Sequence, residues 1–282
     1  MNTEMNNEMD ARVSPSLSPS ETEGTVKIAV MTHRGAVRAE NQDALCVAEK
    51  TWTGDMSSPQ VVEAKFPLLL AAVDGMGGHK GGARAARILA GSLSQGAAFG
   101  AELDLEADKR AVRSLLEDAA RQMESAARQD PELASMGATV SGVVLREKNA
   151  FVFNCGDCRV YRFSEGGLER LTRDHSVVQV LFENGEIQEE EMRFHPRKNI
   201  VTSAVSADSD VPFELYAKGV SRCESDVFFL CSDGVWEALD TPQLAQRLTP
   251  SELPVARRAA DLFDALLSAD CRDNVSFLWQ TT

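Results

Sequence analysis

Twice in this chain an apolar, strand-like run ends in an aspartate that is followed by glycine. Asp74 closes the run Leu68–Val73, and Asp233 closes the run Val227–Cys231 after one intervening serine. A buried strand that ends in a carboxylate places a rigid charge at a sheet edge, and the glycine lets the backbone approach a ligand. The pattern therefore predicts a binding site at a sheet edge. Three further aspartates stand in short polar motifs: Asp43, Asp157 and Asp273.

Carboxylates gathered at one sheet edge repel each other strongly unless divalent cations neutralise them. All-oxygen ligand sets favour Mg²⁺ or Mn²⁺ over zinc, so the pattern favours a site for one of those two ions. Any one of these motifs alone is more often a simple turn, because Asp-Gly is a common turn pair. Asp273-Asn274 by itself carries almost no signal, and the interpretation depends on the combination.

The hydrophobic periodicity mixes strands with amphipathic helices. Three apolar stripes at helical spacing predict helices around residues 88–93, 112–123 and 255–266. Because strands and helices do not alternate regularly, their order favours an α+β sandwich of two antiparallel β-sheets flanked by α-helices. Short apolar or β-branched runs bounded by Gly, Asp or Asn predict the strands: Val26–Met31, Leu45–Ala48, Leu68–Val73, Thr139–Leu145, Phe151–Asn154, Val160–Phe163, Val227–Cys231 and Val275–Trp279.

We expect a single globular domain over residues 25–282, within which Pro59 and its neighbours form a loop. Residues 1–24 are rich in Asn, Ser, Pro and Glu, and they contain too few apolar side chains to offset the entropy of ordering. They are predicted to form a disordered N-terminal tail. No basic region followed by an apolar run opens the chain, and no stretch is long enough to span a membrane, so we expect a cytoplasmic protein.

The charge balance excludes some classes of partner. Asp and Glu outnumber Lys and Arg by 43 to 29, giving a formal net charge of −14. Nucleic acid and anionic membranes both require a basic surface, so neither is expected as the main partner. Cys155 and Cys158 form a lone CxxC motif. A zinc site requires four ligands, so we interpret the six cysteines as buried thiols in a reducing compartment.

A series of longer motifs then carries a family resemblance. The segments RAENQD, VDGMGGH, MGATV, NCGDCRVYR, LTRDHS, LCSDGVWE and RDNVS follow one another from about Arg34 to Trp279. In this order they resemble the type 2C, or PPM, family of metal-dependent serine/threonine protein phosphatases, in its bacterial form. The resemblance implies two antiparallel sheets packed face to face, with helices outside and metal ions in a cleft at one end.

The resemblance also implies roles for individual residues. The Gly75 carbonyl is similar to a backbone metal ligand, and Arg38 to the arginine that grips the substrate phosphate. Asp157, together with Asp233, matches acids that hold a third, weaker ion in bacterial members. Two Mn²⁺ or Mg²⁺ ions are then expected to provide a bridging hydroxide that attacks the phosphorus of phosphoserine or phosphothreonine. Four aspartates are similar to the family's metal-binding acids: Asp43, Asp74, Asp233 and Asp273.

Several positions depart from the family pattern. Gln42 stands where some members carry a glutamate, and Met76 where many eukaryotic members place a histidine thought to act as general acid. His79 follows shortly after, without established equivalence to that histidine. Ala138 and Cys158 replace a common threonine and serine, which we interpret as packing variation. The general acid is therefore left unassigned, and a metal-bound water is one alternative.

Residues Asp174–Ser203 resemble the variable flap of bacterial members, where contact with an acidic phosphopeptide and a solvated loop of mixed charge are equally good interpretations. His175 and Ser176 are expected to cap the following helix and to take no part in chemistry. The basic candidates for substrate contact in the flap are Arg193, His195, Arg197 and Lys198.

Three functions remain open from the sequence. The first, and the leading interpretation, is an active phosphatase that reverses a serine/threonine kinase. The second is an inactive relative that serves as a ligand sensor or scaffold, although none of the matched aspartates is missing. The third is a phosphatase domain that regulates secretion or stress signalling through a dedicated partner. The expected partners are phosphorylated proteins, and the expected state is a monomer.

Overall fold

The computed structural model describes residues 24–96, 99–208, 211–269 and 271–281. The predicted tail, residues 1–24, lies outside these ranges except for Gly24. The strands are β1 (Thr25–His33), β2 (Asp43–Val47), β3 (Lys50–Thr53), β4 (Gln60–Lys65), β5 (Leu68–Met76), β6 (Gly137–Leu145), β7 (Asn149–Cys155), β8 (Arg159–Ser164), β9 (Gly167–Arg170), β10 (Val205–Ser206), β11 (Tyr216–Ser221), β12 (Val227–Cys231) and β13 (Val275–Thr281).

These strands form two antiparallel sheets. One sheet has the order β4-β1-β13-β12-β8-β9, and the other has the order β11-β7-β6-β5-β2-β3, with β10 paired to β6. The helices are α1 (Gly78–Ser94), α2 (Leu105–Gln129), α3 (Val177–Glu183), α4 (Glu189–Met192), α5 (Asp233–Ala238), α6 (Thr241–Leu248) and α7 (Val255–Ser268). The α+β sandwich expected from the sequence is confirmed.

The core has three layers of contact, which explains why the central strands are apolar on both faces. In β5, Leu69, Ala71 and Val73 pack with the residues of α1 and α2. The alternating residues Leu70 and Ala72 face the opposite sheet and pack between the two sheets. Successive side chains of a strand point to opposite faces, so burial on both faces turns the expected alternation into a continuous apolar run. A third cluster packs α5, α6 and α7 against the other sheet.

Two sequence-based expectations are corrected by the structure. Pro59 lies in a loop as expected, but the loop ends there, because Gln60–Lys65 form the edge strand β4, which pairs with β1. Most of its side chains are exposed or half-buried, so no apolar run marks it. Cys223 is exposed, whereas the other five cysteines are buried as expected. Within the described ranges, no helix combines the length and the apolar character needed to cross a membrane.

Candidate metal centre

Two of the predicted acids come from neighbouring strands of one sheet. Asp43 is the first residue of β2 and stands opposite Asp74 of β5 in the antiparallel register. The strand β5 continues through Asp74 to Met76, so this carboxylate belongs to the strand and does not follow it. Directly opposed residues of an antiparallel pair have Cβ atoms about 5 Å apart on the same face. The pairing therefore brings two carboxylates together.

Gly75 lies where the chain packs too closely for a side chain. A Cβ atom at Gly75 would stand 2.1 Å from the carbonyl oxygen of Gly82 in α1 and 2.6 Å from that of Gln42. The backbone amide of Gly75 donates to the Gln42 carbonyl at 3.1 Å. Only glycine permits this contact between β5, α1 and the segment before β2, and the contact fixes the backbone beside Asp74.

The other sheet supplies two further acids. Asp233 is the first residue of α5, immediately after β12, and Asp273 lies in the turn before β13. A Cβ atom at Gly234 would stand 2.0 Å from the carbonyl oxygen of Asn274, so glycine is required where these two segments meet. Asp74, Gly75, Asp157, Asp233 and Asp273 line one cleft of about 410 Å³.

Asp43 stands opposite Asp74, which lines the cleft, and is itself 2% exposed. Its Oδ2 atom accepts a hydrogen bond from Ser232 Oγ at 2.8 Å. The hydroxyl of Ser232 also accepts from the Ser276 amide at 3.2 Å, and Ser276 Oγ donates to Thr32 Oγ1 at 2.7 Å. This buried polar chain joins both sheets and holds the Asp43 carboxylate in one orientation.

Asn274 fixes the loop that precedes β2, a role that its motif alone did not reveal. Its Nδ2 atom donates to the carbonyl oxygens of Arg34 at 3.1 Å and Glu40 at 3.0 Å. Its Oδ1 atom accepts from the Gln42 amide at 2.8 Å. One buried amide therefore ties the RAENQD segment to the start of β13, and this tie sets where Asp43 begins its strand.

The carboxylates are electrostatically strained as a group. Burial raises the pKa of Asp43 to about 6. Burial, followed by repulsion from Asp174, raises the pKa of Asp157 to about 7. The pKa values of Asp74 and Asp233 are raised well above the usual range, first by burial and then by neighbouring carboxylates. Burial and mutual repulsion disfavour the charged forms, and a divalent cation would relieve both effects.

The donor set fits a hard divalent cation. Asp43 Oδ1 and Asp157 Oδ1 are buried without a hydrogen-bond partner, although buried polar atoms normally have one. Among the described residues, no three His, Cys, Asp or Glu side chains form a ready-made cage. Mg²⁺ typically keeps several water ligands and binds through one or two carboxylates, so a ring of separated acids suits such an ion. The cleft therefore presents several carboxylates, the type of oxygen donor that such an ion prefers.

Comparison with known proteins agrees with this geometry. Residues 39–269 match the family model described as Protein phosphatase 2C. This chain belongs to the protein phosphatase 2C family. The serine/threonine phosphatase stp of Listeria monocytogenes is 27% identical over 251 residues, which cover 88% of this chain and 92% of the relative. The chain is a metal-dependent serine/threonine protein phosphatase.

Solved structures support the same assignment. The catalytic domain of PstP, a serine/threonine protein phosphatase solved in complex with two manganese ions, has a TM-score of 0.71 and 25% identity, covering 91% of this chain and 98% of that chain. PppA, described as a key regulatory component of T6SS in Pseudomonas aeruginosa, has a TM-score of 0.73 and 28% identity, covering 91% and 99%.

Arg38 stands at the mouth of this phosphatase's carboxylate cleft. Its Nη2 atom donates to Asp273 Oδ2 at 2.5 Å, and about half of its side chain is exposed. A guanidinium at this place has donors that remain free for a second acceptor. Arg38 is therefore oriented by one of the cleft acids while about half of its side chain faces solvent.

The loop that carries Asp157 is held from two sides. Trp236 Nε1 of α5 donates to the Asp157 carbonyl oxygen at 3.1 Å. The Gly156 amide donates to His175 Nδ1 at 3.0 Å, and burial lowers the pKa of His175, which favours the neutral imidazole that can accept this bond. Ser176 is the N-cap of α3, where its hydroxyl accepts from the Gln179 amide at 3.3 Å, as predicted. His175 instead positions the Asp157 loop.

The predicted flap contains α3 and α4 and is brought to the edge of the cleft. Asn199 and Val201 of this segment line the cleft, and the sequence offered no signal for either. Lys198 forms an ion pair with Glu237 of α5. The other three basic candidates in the flap lie in or beside the turn that leads to Asn199: Arg193, His195 and Arg197.

Two departures from the family pattern are visible in the same cleft. Met76 lines it, at the position where many eukaryotic relatives were expected to place a histidine. The side chain of His79 lies outside the described part of the structure. Cys158 Sγ lies 3.3 Å from Thr139 Oγ1 and is fully buried, in keeping with a packing role.

Metal removal should destabilise this phosphatase in a pH-dependent way. Because the pKa values of Asp43 and Asp157 are raised, the metal-free folded state retains protons that the unfolded chain loses from about pH 4 upward. The stability contributed by these groups is therefore lost as the pH rises towards 7. We expect saturating Mn²⁺ to raise the Tm of chelated protein by about 5–10 °C at pH 7.5, and by clearly less at pH 5.5.

Differential scanning fluorimetry of EDTA-treated protein, with and without Mn²⁺ at both pH values, measures this difference. The control for ionic strength is the same EDTA-treated protein in buffer that contains added monovalent salt and no divalent cation. Equal Mn²⁺-induced shifts at the two pH values would contradict the role given to the buried carboxylates.

Proposed function

We propose that this phosphatase hydrolyses phosphoserine and phosphothreonine in proteins at the carboxylate cleft. Two Mn²⁺ or Mg²⁺ ions would be held by the Gly75 carbonyl and by four acids, and a weaker third ion by Asp157 with Asp233. The observation that carries the proposal is the convergence of acids from both sheets on one cleft that Arg38 also lines, with Asp43 opposite Asp74 in the strand register. The four acids are Asp43, Asp74, Asp233 and Asp273.

The residues in and around the cleft have different proposed roles. Bound divalent ions supply Lewis acidity, which lowers the pKa of water and offsets charge on phosphoryl oxygens. Arg38 binds the phosphoryl group by charge-assisted hydrogen bonds. Ser232 holds the Asp43 carboxylate in one orientation by a hydrogen bond. Burial raises the pKa of the Cys155 thiol to about 12, so this thiol stays protonated and is not a nucleophile near neutral pH.

We also propose a cellular compartment, partners and an oligomeric state for this phosphatase. Free cysteines, five of them buried, are in keeping with a reducing compartment, and we propose the cytoplasm. Phosphoserine and phosphothreonine in proteins are made by protein kinases, so a serine/threonine kinase and its targets are the proposed partners. We propose a monomer, which size-exclusion chromatography with light scattering tests.

Hydrolysis of p-nitrophenyl phosphate and of a phosphothreonine peptide, with Mn²⁺, Mg²⁺ or EDTA, tests the proposed function. We expect activity on both substrates with either metal and loss of that activity in EDTA. Comparison of the rates with Mn²⁺ and Mg²⁺ shows which ion supports faster turnover. Folded protein that hydrolyses neither substrate with either metal would refute the proposal and favour a sensor or scaffold.

Replacement of Arg38 by Ala should lower kcat/KM for p-nitrophenyl phosphate by about 10- to 100-fold. A hydrogen bond to a charged group is worth about 1.5–3 kcal/mol, and each 1.4 kcal/mol corresponds to a tenfold change. Arg38→Lys should recover part of the loss, because an ammonium keeps the charge without the planar fork of donors. Steady-state kinetics measures the effect, and Arg121→Ala is the control because Arg121 pairs with Asp118 on the surface of α2. Unchanged kcat/KM in Arg38→Ala would contradict a phosphate-binding role.

A further inference from the structure

A second cavity lies on the other side of the flap from the metal cleft. Its volume is about 590 Å³, compared with about 410 Å³ for the cleft. Tyr161 and Leu168 of the sheet, Trp236 of α5 and Met192 and Phe194 of the flap contribute to its lining. The volume and the aromatic lining are those of a site that binds an organic group, and the established reaction does not use it.

One short segment of the flap separates this cavity from the cleft. Phe194 lines the cavity, and Asn199, five residues later, lines the cleft. The intervening residues are folded into consecutive turns, with the Lys198 amide donating to the His195 carbonyl at 3.0 Å and the Ile200 amide to the Arg197 carbonyl at 3.2 Å. Even a fully extended span of five residues covers at most about 18 Å. One peptide lying across the turn therefore has the length to reach both sites.

The wall between the two sites is fixed in place. The Val177 amide donates to the Ile200 carbonyl at 2.9 Å, and the Thr202 amide donates to the His175 carbonyl at 2.8 Å. Lys198 pairs with Glu237 in α5, the helix whose first residue, Asp233, lines the cleft. The cavity is therefore present before any ligand arrives, so its occupation carries little reorganisation cost.

The chemistry of the surface indicates what binds there. Phe194 is 73% exposed at the cavity, and large aromatic side chains together with Arg are enriched at protein-binding hot spots. Within the described ranges, no carboxylate lies at ion-pair distance from Arg193 or Arg197, although Lys198 has one. Arg193 Nη1 is buried without a hydrogen-bond partner. Three carboxylates also line the cavity: Glu189, Glu190 and Asp240. The cavity therefore favours an uncharged, bulky apolar group, and acidic residues are favoured only beside Arg193 and Arg197 at the turn.

We propose that this cavity docks phosphoprotein substrates. A substrate segment inserts one bulky apolar side chain into the cavity beside Phe194, its acidic residues cross the turn at residues 193–198, and its phosphoresidue lies in the metal cleft. This docking role rests on the proposed function. The turn length places the apolar anchor within about five residues of the phosphoresidue.

Matched phosphothreonine peptides test the docking site. Each peptide carries acidic residues around the phosphothreonine and either Phe or Ala, placed five residues before or five residues after it. The variant Phe194→Ser removes an exposed ring without disturbing the core, and Leu253→Ser, at another exposed apolar residue, is the matched control. Hydrolysis of p-nitrophenyl phosphate, which is too small to span both sites, is measured for every protein.

We expect the wild-type enzyme to hydrolyse one of the Phe peptides with a KM about 5- to 20-fold lower than its Ala counterpart. Phe194→Ser should remove most of that preference while leaving p-nitrophenyl phosphate kinetics unchanged, and Leu253→Ser should keep it. Equal KM values for Phe and Ala peptides in both placements, from enzyme active on p-nitrophenyl phosphate, would overturn the docking site. If the wild-type protein showed no metal-dependent hydrolysis of p-nitrophenyl phosphate, the proposed function would instead be overturned.

Discussion

Replacement of Asp233 by Asn should lower the turnover of p-nitrophenyl phosphate by about a thousandfold or more while the protein stays folded. Asp233 begins α5, lines the cleft, and is proposed to contact both a core ion and the weaker third ion. Asn keeps the shape of the side chain but removes the negative charge that attracts a divalent cation. A thousandfold loss corresponds to about 4 kcal/mol of transition-state stabilisation.

The same substitution has a second expected effect of opposite direction. Neighbouring carboxylates raise the pKa of Asp233 after burial, so its charge is a source of repulsion in the metal-free protein. Removal of that charge should leave the Tm of the chelated protein unchanged or higher, while the Mn²⁺-induced rise in Tm becomes smaller. Damage to the fold would instead lower the Tm of the metal-free protein. The Tm therefore distinguishes loss of a metal-binding charge from loss of folding.

Asp118→Asn is the matched control, because Asp118 is an exposed acid of α2 that pairs with Arg121 on the surface. It should leave both turnover and the Mn²⁺ response unchanged. If Asp233→Asn hydrolysed p-nitrophenyl phosphate at a near-wild-type rate, the proposed metal site would be wrong.

The fold class and the buried strands were predictable from the sequence because their signal is local. In β5 both faces are buried, and the apolar run 68–73 records that burial directly. Edge strand β4 was not predictable in this way, because most of its side chains are exposed or half-buried. Its existence depends on pairing with β1, which is a long-range property that hydrophobic periodicity does not encode.

The same contrast between local signals and long-range contacts applies to the candidate site. Aspartates beside glycine turns are local signals, so the acids could be selected from the sequence. The register that sets Asp43 opposite Asp74 was not visible there, and neither was the tie that Asn274 makes to the segment before β2. Asn199 and Val201 line the cleft only because the fold brings the flap to its edge. Contacts between segments far apart in the chain are set by the packed fold and cannot be read from one motif.

Replacement of Asp174 by Asn should lower the free energy of unfolding by about 3 kcal/mol, the largest stability effect expected here. Asp174 is fully buried and accepts from Arg159 Nη2 at 2.6 Å and from Arg159 Nε at 3.0 Å. The guanidinium of Arg159 lies 3.7 Å from the ring centroid of Trp236. Removal of the carboxylate leaves a cation buried without its counter-charge, which typically costs about 3–5 kcal/mol, and the Asn oxygen replaces part of that loss.

Urea unfolding of the metal-free protein measures the cost, and two variants separate its causes. Glu183→Gln breaks a more exposed ion pair with Arg173 and should cost less than about 1 kcal/mol. The double variant Arg159→Met with Asp174→Leu removes this ion pair, while Arg170, which also pairs with Asp174 at 3.5 Å, keeps its contact with Glu189. It should be more stable than Asp174→Asn, because apolar pairs often replace buried ion pairs at little cost. If the double variant were as unstable as the single one, the loss would come from packing around Trp236 and not from an unpaired buried charge.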